Sequence, residues 1–290
     1  MCHALRVDRR RIALEADGAR LTLDPDRGGR IASLVVSGDE LIVTEDPGGR
    51  ATWWGCYPMV PFAGRIRDGA FTFRGQLVQL PLTDPPNAIH GTVLDRPWTV
   101  VGGGSRGTSQ RAATLTIDLG PGWPFRGLVT QSFELGPGWL TATLTLDAVD
   151  AMPATIGWHP WFRRVLAGKR AAPRAPSEPA ELRFEPGRMY ERGADGLPTG
   201  KIVPPTSPPW DDCFVDVRSA PRLVWSDRLA LEIESTLDHW VAFTEPPHAV
   251  CIEPQSGPPD AVHLAPRVVE AGERVTASMT WRWSAPPGQC

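Results

Sequence analysis

Moving a proton at neutral pH takes a histidine or carboxylate held within reach of a second titratable group. The candidates here sit in short, distinctive strings. His90 lies in Asn87-Ala88-Ile89-His90-Gly91, and His159 in Gly157-Trp158-His159-Pro160-Trp161-Phe162. Glu253 lies in Cys251-Ile252-Glu253-Pro254-Gln255, Arg65 in Pro61-Phe62-Ala63-Gly64-Arg65-Ile66, and Asp211 and Asp212 follow Trp210. No P-loop and no HExxH accompanies them. Taken singly, each has a structural reading as well as a chemical one. His90 reads as a turn histidine, Asp211 as a turn cap, Arg65 as half of a weak surface pair, and Glu253 as a solvated charge at a strand end. His159, set among Trp158, Trp161 and Phe162, implies a partly buried polar site.

Tryptophan adds a hint. The chain has 12 Trp against 2 Tyr, and Trp53, Trp54, Trp158, Trp161 and Trp210 lie beside the polar candidates. A flat indole next to carboxylates and donors suits a sugar, whose C–H face packs on the ring while its hydroxyls take hydrogen bonds. Trp123, Trp225 and Trp281 read as core residues.

The elements that must position these groups are strands. Alternating apolar residues mark 19–23, 30–37, 41–44, 71–73, 77–80, 113–119, 128–135 and 140–149. Further runs are 213–217, 222–225, 229–235, 240–244, 249–253 and 274–283. Their connections, such as Gly120-Pro121-Gly122 and Gly136-Pro137-Gly138, are turn chemistry. No window carries a sustained 3.6-residue apolar repeat, so the expectation is an all-β sandwich or barrel. Residues 167–181 read as an exposed loop and 285–290 as a frayed tail. No boundary divides the chain, so residues 1–290 are expected to form a single domain.

Composition agrees and excludes several partners. With 290 residues, 41% of them hydrophobic and 22% charged, the chain can build its own core. The formal net charge of -3 leaves no basic surplus for a phosphate backbone, which argues against nucleic acid. Five cysteines form no CxxC pair and no zinc spacing, so they read as free thiols. No signal-type apolar region and no membrane-length apolar run is found; the expectation is a cytoplasmic protein without a membrane partner.

Six strings, in this order, resemble the aldose 1-epimerase (galactose mutarotase) family. They are the segment from Gly55 to Ile66, then Gly69-Ala70-Phe71, Ile89-His90-Gly91, Gly157-Trp158-His159-Pro160-Trp161-Phe162, Asp211-Asp212-Cys213-Phe214 and Ile252-Glu253-Pro254. The resemblance runs from about residue 20 to about residue 283. It implies a β-supersandwich of large twisted antiparallel sheets with a cleft on one face. It implies Glu253 as catalytic base, His159 as catalytic acid, and His90 as a histidine near the sugar ring oxygen. Arg65 and Asp211 are implied to bind substrate, with Asp212 the alternative to Asp211. Two departures bear on substrate detail. Gly64 stands where the family commonly has Asn, and Phe62 and Trp161 stand where it usually has Trp or Tyr.

The implied reaction interconverts the α and β anomers of a hexopyranose. A base takes the anomeric hydroxyl proton, an acid protonates the ring oxygen, and the C1–O5 bond opens. Rotation about C1–C2 and closure give the other anomer. This needs no metal, nucleotide or covalent intermediate, so no cofactor and no metal are expected; the partner is a small sugar such as glucose or galactose. It asks for an ionised Glu253 and a protonated His159, which a nearby carboxylate would favour by raising the histidine pKa. Three other readings share these residues. A hexose-6-phosphate 1-epimerase would need cations such as Arg67, Arg163 or Arg164 at the site. A glycosidase using Glu253 and Asp211 would leave His159 idle. A non-catalytic sugar-binding protein would not need both Glu253 and His159. Oligomeric state and the preferred aldose are not set by the sequence.

Overall fold

The computed structural model describes residues 11–102, 110–167, 175–226 and 228–285. Among these residues the chain forms two large sheets, of twelve and eight strands, with antiparallel pairing throughout their ladders. The order across the larger sheet includes Ile12–Ala16, Ala19–Asp24, Arg30–Val36, Cys56–Met59, Gly157–Pro160, Ala249–Gln255, His239–Phe243, Asp211–Val215, Arg188–Arg192 and Pro198–Val203. The smaller runs through Thr99–Gly102, Ala112–Asp118, Gly127–Gly136, Trp139–Ala148, Arg274–Ser284, Leu229–Ser235, Arg222–Trp225 and Glu181–Arg183. The expected all-β architecture of large antiparallel sheets is the one observed.

Alternation explains the stacking of the sheets. Along Trp139–Ala148, Leu140, Ala142, Leu144 and Leu146 are buried while the residues between them are half-buried. They join Leu14, Leu21 and Ile31 of the larger sheet in one apolar core. Phe162 packs edge-on to Trp281, ring centroids 4.9 Å apart. Gln131 is the polar bolt through this core. Its Oε1 accepts from Trp158 Nε1 at 2.9 Å, and its Nε2 donates to the Gly29 carbonyl at 2.9 Å. Both ends of a buried amide are thereby satisfied.

Burial on both faces hides two strands that matter for the site. Cys56–Met59 and Gly157–Pro160 are buried at every position and carry Pro58 and Pro160. They show neither alternation nor a proline-free run, so His159 reads from sequence as a turn residue and is found mid-sheet. The expected strand over 41–44 is not formed. Glu40 Oε1 accepts from Leu34 N and Ile42 N, and the segment contributes only an isolated bridge between Ile42 and Phe162. Of the expected loop 167–181, residues 168–174 lie outside the described residues, as does 286–290 of the tail. Ser177 and Ala180 in that loop are buried rather than exposed.

Candidate active site

Strand register builds the floor of the site. Gly157 pairs with Gln255, and constant antiparallel spacing sets His159 opposite Glu253. Tyr57 lies opposite His159, Val241 opposite Glu253, and Cys213 opposite Val241. One row of side chains therefore crosses five neighbouring strands. Period-two alternation sends Trp158 and Ile252 into the inter-sheet core and His159 and Glu253 to the other face. There they line a cleft of about 180 Å³.

His90, Arg65 and Asp211 line the same cleft as His159 and Glu253, so the structure brings all five expected residues together. His159 Nε2 lies 3.2 Å from Glu253 Oε1, both side chains buried. The His159 ring is sandwiched between Tyr57 and Trp161, with centroids at 5.0 and 5.2 Å. One carbonyl anchors both sandwiching rings: Thr52 O accepts from Tyr57 Oη at 3.0 Å and from Trp161 Nε1 at 2.9 Å. Glu253 Oε2 accepts from Gln255 Nε2 at 3.2 Å.

His90 arrives from a tight turn. It has φ 58°, its N–H donates to the Gly64 carbonyl at 2.9 Å, and its ring meets that of His159 edge-on at 5.1 Å. A non-glycine residue in the left-handed region is uncommon and stays there only when its surroundings hold it. Gly91, with φ 79°, holds the turn closed: a Cβ there would fall 2.0 Å from the Val60 carbonyl oxygen. Gly64 has φ 70°, and a Cβ would fall 2.6 Å from Pro259. The departure from the family's Asn is thus explained, since Pro259 fills the space a side chain would need.

Arg65 is aimed by a partner that sequence reading missed. Its Nε donates to Asp84 Oδ2 at 2.6 Å, and Asp84 also lines the cleft. Both aspartates line the cleft, and strand facing favours Asp211. Asp211 pairs with Phe243, a cleft residue, whereas Asp212 pairs with Ala242, which is in the core. Asp211 is the more exposed of the two. Arg192 stands over both, 3.9 Å from Asp211 Oδ2 and 3.7 Å from Asp212 Oδ1, with Nη1 donating to the Asp211 carbonyl at 3.2 Å. Asp84, Tyr190 and Arg192 were not singled out from sequence, since they come from a turn and a hairpin that carry no motif; Tyr57 lies within the Gly55–Ile66 string without having been singled out there. Of the five tryptophans expected near the site, Trp53 and Trp161 line the cleft. Trp54 stacks against Arg30, while Trp158 and Trp210 point into the core.

Electrostatics corrects one expectation. Burial pushes the Glu253 carboxyl well above the carboxylate range, and the charge of Asp211 adds to this, against the Gln255 hydrogen bond and Arg65. Burial pushes His159 down to about 3, with Arg65 and Arg30 pushing the same way. His90 is also held well below its ordinary value, by burial first and then by His159 and Arg65. Desolvation outweighs the attraction that would have raised the His159 pKa. The two opposite shifts favour the proton on Glu253 over His159. The ion-pair form differs only by transfer of that proton across the 3.2 Å contact. The pair's donors also include a metal-type set: His159, Cys251 and Glu253 each offer a ligand atom, all within 4.8 Å of one another. His90 is not in this set.

The sheet pair thus carries a histidine–carboxylate couple on the outer face of its larger sheet. The aldose 1-epimerase family profile matches residues 10–282, and the chain belongs to that family. A stretch of 141 residues is 29% identical to the uncharacterized protein YphB of Escherichia coli (strain K12), and spans 47% of this chain and 47% of that protein. The matched stretch thus covers about half the length of that curated relative. Among solved structures, a galactose mutarotase-like protein from Clostridium acetobutylicum superposes with TM-score 0.83 at 16% identity, covering 98% of this chain and 97% of that one. Galactose 1-epimerase from Lactobacillus acidophilus NCFM gives TM-score 0.77 at 17% identity, covering 99% and 97%. At such identities the likeness is one of fold. No helix among the described residues is long and apolar enough to cross a membrane.

Proposed function

We propose that the protein is a mutarotase acting on an unphosphorylated aldohexopyranose. The observation that carries the reading is the buried His159–Glu253 contact at 3.2 Å on the floor of a cleft edged by hydroxyl-binding groups. In the proposed cycle the proton shared by the pair first moves from Glu253 to His159. Glu253 then takes the proton of the anomeric hydroxyl while His159 delivers its own to the ring oxygen. The C1–O5 bond opens, C1–C2 rotates, and closure reverses both transfers. The pair ends with the single proton it began with, so no outside base or acid is consumed. Each positioned transfer is worth roughly 10²–10⁴ in rate. His90, edge-on to His159, would orient the ring oxygen, and Trp53 and Trp161 would pack on the sugar's C–H face.

The charges around the cleft support a neutral sugar over a phosphorylated one. Arg67 pairs with Asp195 and Asp260. Arg163 Nε donates to the Ile42 carbonyl, and Arg164 to the carbonyls of Thr244, Pro246 and Ala249. The three cations considered for a phosphate are thus engaged elsewhere. The lining arginines, Arg65 and Arg192, each have carboxylates beside them. A panel of free and 6-phosphorylated aldoses, followed by exchange between the anomeric proton resonances, tests this. Faster exchange for free sugars is expected, and acceleration of the phosphorylated ones alone would overturn it.

Arg65 and Asp211 are proposed to hold hydroxyls in ground and transition states alike. Arg65→Ala and Asp211→Ala should then raise KM with a smaller effect on kcat. Wild-type KM and kcat in either variant would remove that residue from the pocket.

The pH profile follows from the one-proton state. As pH falls through the His159 value of about 3, a second proton enters the pair and no base is left. As pH rises through the raised Glu253 value, the last proton leaves and no acid remains. The expected kcat profile is a broad plateau with its acid limb near pH 3 and its alkaline limb above the ordinary carboxylate range. An acid limb near pH 6.5, the ordinary value for histidine, in protein still folded by circular dichroism would contradict this assignment.

A further inference from the structure

We propose that the cleft floor is also a binding site for a thiophilic divalent cation of the zinc class, held by His159, Cys251 and Glu253. The binding does not depend on which sugar the cleft takes, or on whether it takes one. All three donors stand on the rigid larger sheet: Cys251 and Glu253 share one face of Ala249–Gln255, two residues apart, and His159 lies opposite Glu253 on Gly157–Pro160. All three are buried, and their ligand atoms lie within 4.8 Å of one another.

The spacing fits zinc. His159 Nε2 and Glu253 Oε1 are 3.2 Å apart, and two bonds of about 2.1 Å across that gap subtend about 100°, near the tetrahedral angle. A tetrahedral site with Zn–S of about 2.3 Å places sulfur about 3.6 Å from the other two donors. From within 4.8 Å, the thiol has to close in by no more than about 1.2 Å. One nitrogen, one sulfur and one carboxylate oxygen select zinc-like ions, whereas magnesium and calcium require mostly oxygen. The ion takes the place of the proton shared by His159 and Glu253. Binding releases that proton and the Cys251 thiol proton to solvent, and the thiolate and carboxylate together balance the two positive charges. The fourth position is left for water or a sugar hydroxyl.

If the cleft is a mutarotase site, the ion occupies both proton-transfer groups and inhibits; that consequence rests on the proposed function, while the binding does not. The test is a Co²⁺ titration of the full chain, read by the near-ultraviolet charge-transfer band of a cobalt-bound thiolate. The band should saturate at one equivalent, vanish when Zn²⁺ is added, and be lost in Cys251→Ala. Glu253→Gln, which keeps the thiol and the shape, should weaken cobalt affinity at least about tenfold. Cys213→Ser and a Cys2→Ser/Cys290→Ser double variant should keep the band. No band in folded wild-type protein, or a band that survives in Cys251→Ala, would overturn the site. In parallel, Zn²⁺ should inhibit anomer exchange by wild type at least about tenfold more strongly than by Cys251→Ala. Cobalt binding as expected in a protein without any anomer exchange would uphold the metal site and sink the mutarotase reading instead.

Discussion

Glu253→Gln should lower kcat for anomer exchange by at least about 100-fold while sugar still binds, because it removes the base and keeps the shape. His159→Asn should do the same by removing the acid. The two losses are expected to be strongly non-additive. The groups share one proton across a 3.2 Å contact, and neither transfer alone opens the ring. The double variant should therefore be little slower than the worse single one. His90→Asn should cost less than His159→Asn, since the His90 ring meets His159 edge-on and is not placed against Glu253. The reverse ranking would mean that the two histidines have exchanged roles. Steady-state rates with a readout for bound sugar decide these points, and near-normal kcat in Glu253→Gln would sink the mechanism.

The second large effect is on stability. Arg30 is fully buried behind the site. Its Nε donates to the Arg27 carbonyl at 2.7 Å, Nη1 to those of Ala51 and Trp54 at 2.7 and 2.8 Å, and Nη2 to that of Leu94 at 2.7 Å. Its guanidinium lies 4.1 Å from the centre of the Trp54 ring and 5.2 Å from that of Tyr57. Burial lowers its pKa to about 10, so it stays charged at neutral pH. Four carbonyls from three separate segments thus converge on one cation, and one of those segments carries the Thr52 carbonyl that anchors Tyr57 and Trp161. Arg30→Met keeps much of the volume but leaves those carbonyls without their donor. The expected cost is about 3–5 kcal/mol, from stranded buried acceptors and lost stacking. A urea unfolding midpoint equal to wild type would show that water or a repacked loop replaces the guanidinium.

Much of the fold was legible because the smaller sheet and the edges of the larger one alternate cleanly. Trp139–Ala148 and Ala112–Asp118 show it, with one face in the core and one toward solvent. Two central strands of the larger sheet, Cys56–Met59 and Gly157–Pro160, were not legible, since they are buried on both sides and carry prolines. Ala249–Gln255 reads as an apolar run that ends at Glu253, yet it continues through Pro254 to Gln255. For the same reason His159 looked like a turn residue. The five named site residues were visible through motif order, a property of chemistry rather than of periodicity. Asp84, Tyr190 and Arg192 were not, because what brings them to the cleft is the packing of a turn and a hairpin distant in sequence. The direction of the His159 pKa shift was misjudged because a sequence shows a carboxylate's presence but not the depth at which the pair is buried.

The most direct test of the proposed activity is polarimetry of freshly dissolved α-D-galactose and α-D-glucose, with and without the protein and its Glu253→Gln variant. Optical rotation should relax to equilibrium faster with wild-type protein, in proportion to its concentration, and at nearly the uncatalysed rate with the variant. Relaxation by wild-type protein no faster than the buffer control, for these and other aldoses, would contradict the account.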